Sequence, residues 1–93
     1  MEKLLAAVRQ ELERIGGTLE AASTWPLGNG RHEAVILVKR EGVLALGGAP
    51  WVIWRTHLDA DGTFGTFYWG AYLQDEDNAR RAYLARVADV IGR

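Results

Sequence analysis

Residue types able to do chemistry are sparse in this chain, and they gather at one turn. His57, Asp59 and Asp61 precede Gly62. An imidazole and two carboxylates are metal-ligand types, and Asp59-x-Asp61-Gly62 looks like part of a calcium loop. With Asp59 and Asp61 in the third and fifth positions of that loop, His57 falls on the first and Tyr68 on the twelfth, where carboxylates are needed. A hairpin turn explains the same residues, because Asp bonds to nearby backbone and Gly takes positive φ without steric cost. Ser23, the only serine, lies outside any Gly-x-Ser-x-Gly elbow, and His32 and His57 are the only histidines. No pair of carboxylates is set apart by apolar surroundings. Gly28-x-Gly30 would need a strand before it, a helix after it and a third glycine to be a phosphate-binding fingerprint, and a strand follows instead. Cysteine is absent, which excludes disulfides, thiolate chemistry and Cys-type zinc sites. The expectation is a protein that is not an enzyme and uses no metal or cofactor.

The elements that must position any site centre on residues 51–73, which hold seven of the nine aromatic residues. This stretch reads as two strands around Asp59-Ala60-Asp61-Gly62. The predicted turn is type I closed by a glycine bulge, with Gly62 in the left-handed region. That register sets Asp59 opposite Thr63, Leu58 opposite Phe64, Trp54 opposite Tyr68 and Ile53 opposite Trp69. A two-residue Asp61-Gly62 turn is the rival, and it shifts every pair by one. Alternation puts Trp51, Ile53, Arg55 and His57 on one face of the first strand and Val52, Trp54, Thr56 and Leu58 on the other. In the second strand the sets are Phe67, Trp69, Ala71 and Leu73, then Phe64, Thr66, Tyr68 and Tyr72. Neither face is polar, so both need cover.

Along the rest of the chain, Leu4, Leu5, Val8, Leu12 and Ile15 predict an amphipathic helix over 2–15, stopped by Gly16-Gly17. Residues 18–24 suit a short edge strand. Trp25 to Gly30 reads as a loop, with Trp25 either plugging an open core edge or joining a ligand surface. The apolar run in 33–40 predicts a central strand, followed by a Glu41-Gly42 turn, a strand over 43–46 and a break at Gly47-Gly48-Ala49-Pro50. A closing helix spans 75–91, with Asp75 as its N-cap and Ala79, Ala82, Tyr83, Val87, Val90 and Ile91 facing inward. Arg80, Arg81 and Arg86 are expected in solvent.

The sum is a single α+β domain over residues 1–93: a two-layer sandwich with an N-terminal helix, an antiparallel meander of four or five strands and a C-terminal helix. Both helices are expected on one face, which leaves an aromatic sheet face open. Open apolar patches of that size are rare on monomers, so a homodimer is the favoured partner state. Its surface is expected at Trp54, Tyr68 and Tyr72, then Trp51, Arg55 and Trp69, with Trp25 nearby. The alternative is single-stranded nucleic acid or another planar ligand stacked on the same aromatics, with Arg55 and Arg31 adjacent. The net charge of −1 does not favour nucleic acid. No stretch has a signal-peptide layout or a bilayer-spanning apolar run, so a cytoplasmic protein without a membrane partner is expected.

Overall fold

A computed structural model of the chain describes residues 2–42 and 48–91. The elements are α1 (Glu2–Ile15), β1 (Gly17–Gly28), β2 (Arg31–Arg40), β3 (Trp51–Leu58), β4 (Tyr68–Leu73) and α2 (Glu76–Ile91). The strands make one antiparallel sheet in the order β1-β2-β3-β4. This is the α+β meander that the sequence predicts. The strand expected over 43–46 lies outside the described residues; β2 pairs directly with β3.

β1 is longer than expected, because Trp25 to Gly28 continue the strand instead of looping. Asn29 (φ 54°) and Gly30 (φ 77°) alone turn the chain, with Gly28 opposite Arg31. Asn-Gly is the pair that tolerates the two positive φ angles of a type I′ hairpin turn. Two bulges, at Leu19/Ala21 and Pro26/Gly28, interrupt the pairing of β1 with β2.

β2 decides the layering. Ala34, Val35, Ile36, Leu37 and Val38 each have 0% exposure. Alternate side chains point to opposite faces, so burying all five requires cover on both sides. On one face Leu4, Val8 and Leu12 of α1 join Ala34, Ile36 and Val38, together with Val52, Trp54 and Leu58 of β3. On the other, Ala79 and Tyr83 of α2 join Val35, Leu37, Trp51 and Ile53. The helices therefore lie on opposite faces with the sheet between them, and the expectation that they share a face is overturned. The cause is the same run that marks β2 as central.

α2 starts as predicted. Asp75 Oδ2 accepts a hydrogen bond from the Asn78 N–H at 2.9 Å, satisfying a donor that the first turn leaves unpaired. Its inward stripe ends before Ile91, which is 64% exposed. Among the described residues no helix is long and apolar enough to cross a membrane. Replacing the cap, Asp75→Ala, should lower stability by about 1 kcal/mol. The readout is the urea midpoint at unchanged m-value, and an unmoved midpoint would mean the cap contributes nothing.

Candidate binding site at the bulged start of β4

The turn at residues 59–63 forms as its sequence predicts. The Gly62 N–H donates to the Asp59 carbonyl at 2.9 Å, the Asp59 N–H to the Thr63 carbonyl at 2.9 Å, and Gly62 has φ 90°. Asp61 Oδ1 accepts the Thr63 N–H at 2.9 Å, and hydrogen bonding to Thr63 holds the Asp61 carboxyl below its ordinary pKa. Leu58 bridges Phe64, as that register requires.

Beyond Phe64 the expected register breaks. Tyr68 pairs with Arg55, and Ala71 pairs with Ile53, so Trp69 and Gly70 together oppose Trp54. Each one-residue slip transfers a side chain to the other face. Trp69 sits at φ 56°, in the left-handed region where a bulky side chain is an outlier. The predicted pairs Trp54/Tyr68 and Ile53/Trp69 therefore do not form.

The aromatic residues redistribute accordingly. On the α1 face, Phe67 stacks on Trp54 at 4.8 Å with an interplanar angle of 4°. Tyr72 meets Trp54 edge-on at 6.5 Å, and the Arg40 guanidinium lies 5.3 Å from the Tyr72 ring. Trp54 is buried, while Tyr72 is 56% exposed at the rim of that face. On the α2 face stand Trp25, Trp51, Arg55, Tyr68 and Trp69. Trp51 is buried at the far end, between the side chains of Lys39 and Arg80. Trp25 is half-buried on β1 against the α2-side core, opposite Glu33. It packs as a plug does, though from a strand. The structure thus brings Arg55, Tyr68 and Trp69 together and leaves Trp54 and Tyr72 on the opposite side of the sheet.

Glu33 is the member of this cluster that the sequence reading missed. Arg55 Nη2 pairs with Glu33 Oε1, and the side chains are only 15% and 10% exposed. Tyr68 Oη donates to Glu33 Oε2 at 3.4 Å. Burial, then the Glu33 charge, raises the Tyr68 phenol above its ordinary pKa. The Arg55 guanidinium also lies 4.6 Å from the Trp69 ring centre. Arg86 Nη1 donates to the Trp69 carbonyl at 3.0 Å. One arginine thus faces the ring and another holds the backbone of the residue with the strained φ. The signal available in sequence was a lone acid in β2 and a lone base in β3, each within an apolar run. Such charges are rarely buried without a mate.

A cavity of about 340 Å³ opens here, lined by Arg55, Trp69, Arg86, Asp89 and Val90. A larger groove of about 490 Å³ runs beside α1 and Phe64, but Glu11 and Arg14 on its wall are paired with each other and Phe64 is its one aromatic side chain. The convergent polar and aromatic groups are at the smaller one. Among the described residues no cluster of three or more His, Asp or Glu side chains is placed to hold a metal ion. Compared with known proteins, the chain matches no family model, no curated protein and no solved structure.

Removing one partner of a buried ion pair strands the other, so Arg55→Met should destabilise by about 3–5 kcal/mol. Combining it with Glu33→Gln should recover part of that loss, and additive losses in chemical denaturation would show that the pair is not coupled. The raised pKa of Tyr68 makes a second prediction. A group whose folded-state pKa lies above its unfolded value lends stability that is complete below the unfolded value, 10.0, and is lost as pH rises through the folded one. Stability should therefore fall above pH 10, and less steeply in Tyr68→Phe; parallel profiles would contradict the shift.

Proposed function

We propose that this chain is a non-enzymatic interaction protein that works as a homodimer joined along β4, with Tyr72 and the adjoining aromatic rim of the α1 face at the contact. A helix on each face leaves the two sheet edges as the unpaired surfaces, and the edges differ in a telling way. β1 carries the devices that block edge pairing: Pro26, the charge of Glu20 and two bulges. β4, Tyr-Trp-Gly-Ala-Tyr-Leu, has no charge and no proline, and its one bulge, at Trp69-Gly70, leaves Ala71 to Leu73 in regular pairing. This contrast in charge and proline carries the reading, because an apolar edge without either invites another strand. A second copy offers the same edge, as a two-fold contact demands. The net charge of −1 sets little repulsion against such pairing.

Interaction is preferred to catalysis because the buried carboxylate paired with Arg55, Glu33, is already committed. Glu33 is engaged by Arg55 and Tyr68, which suits a structural ion pair better than an acid or base waiting for substrate. A cytoplasmic setting fits the cysteine-free composition.

Size-exclusion chromatography with light scattering over a range of concentrations tests the proposal. The native chain should elute at twice the monomer mass, and Tyr72→Glu should weaken the dimer at least tenfold. Leu84→Glu, on the exposed side of α2 (65% exposed), should leave it intact. A monomer at every concentration, or a dimer lost through Leu84→Glu and kept in Tyr72→Glu, would refute the β4 interface.

A further inference from the structure

We infer that the cavity between Trp69, Arg55 and the last turns of α2 is a binding site for an uncharged planar heterocycle of the nucleobase class, bound as base or nucleoside. The inference does not rest on self-association: Trp69 belongs to β4, but its ring lies on the α2 face with Arg55, whereas Tyr72 lies on the α1 side with Trp54.

Three observations converge on it. The first is Trp69, which is 64% exposed, holds φ 56° and is followed by a glycine. Backbone strain and an exposed indole are both unfavourable, and such outliers gather where a side chain must be aimed at something. Arg55 occupies one side of the ring, and the exposed remainder offers a stacking platform. The second is Arg55 Nε, which is buried and has no hydrogen-bond partner among the described residues. Arg55 lines the cavity and its side chain is 15% exposed, so a small shift of the guanidinium on ligand binding gives this unsatisfied donor an acceptor from outside the chain. The third is size and wall chemistry. About 340 Å³ accommodates a nucleoside, Val90 supplies an apolar side and Arg86 a further donor.

Charge selects the base over the phosphate. The guanidinium of Arg55 is already neutralised by Glu33, and Asp89 shares the α2 wall of the cavity with Arg86, one helical turn away. The site therefore has no surplus positive charge for a phosphate. Acceptor atoms on the edge of a heterocycle match the guanidinium donors, and the ring matches the indole. Binding should consequently change little with salt, unlike phosphate-driven association.

The test is an NMR titration of the full chain with adenosine, guanosine, cytidine and uridine, with inorganic phosphate as a separate probe. The four indole N–H signals can be followed individually. At least one nucleoside should shift the Trp69 indole and Arg55 Nε–H signals saturably, with the Trp54 indole unmoved and phosphate without effect. Trp69→Leu, which removes an exposed side chain, should weaken binding about tenfold or more. Arg55→Met should do likewise, and because it strands Glu33 its folded spectrum is checked first. Tyr72→Glu should bind as the native chain does, which separates this result from the oligomeric one. No saturable shift with any nucleoside up to millimolar concentration, or the same shifts produced by phosphate alone, would overturn the assignment.

Discussion

The five consecutive apolar residues of β2, Ala34 to Val38, are the constraint on which the rest of the structure depends. All are fully buried, and a strand can bury neighbouring side chains only by burying both of its faces. One helix is thereby required on each side. α1 supplies Leu4, Val8 and Leu12 to one side, and α2 supplies Ala79 and Tyr83 to the other. Tyr83 is tied further by the 2.7 Å hydrogen bond between its hydroxyl and Ser23 Oγ, which fixes α2 across β1 as well. A two-sided core in a chain this short leaves little residue count for anything else, so the exposed aromatic residues fall on the periphery of the sheet.

That periphery is governed by the bulge at Trp69. It separates aromatic residues that simple alternation would keep together. Phe67 and Tyr72 go to the α1 face with Trp54, while Tyr68 and Trp69 go to the α2 face with Arg55. The α1-side set is mostly core, completing the cover that α1 leaves over β3. The α2-side set is mixed in polarity, because Glu33 and Arg55 enter the sheet as a matched pair.

The legible parts of the sequence were those set by local chemistry. Periodicity placed α1, Asp75 announced the start of α2, and Asp59 to Gly62 specified its turn down to the positive φ of Gly62. Asn29-Gly30 was equally local, but Pro26 and Gly28 beside it pulled the reading towards a loop. What could not be read was set by tertiary competition. No single-residue preference announces that Trp69 takes a left-handed conformation, since the strain is tolerated only with Arg55 and Arg86 holding the residue from two sides. The apolar run of β2 announces that both its faces are buried, but nothing in the run says which helix covers which face. Among the candidate residues, Arg55 was singled out for its charge near aromatic rings, whereas Glu33 went unnoticed because its partner lies on another strand.

The strictly sequential pairing of the strands bears on how the chain reaches this state. Every sheet contact joins neighbours in sequence, so most loops that must close during folding are short, and the topology favours rapid collapse of the sheet onto α1. α2 is the exception. It reaches back across the sheet to β1, where the Ser23–Tyr83 hydrogen bond joins residues 60 positions apart. Until it docks, Val35, Leu37, Ile53 and Trp51 form a bare apolar surface on a sheet whose β4 edge carries neither charge nor proline. The interval before docking is therefore when this chain is most prone to aggregate, and any delay in α2 lengthens it.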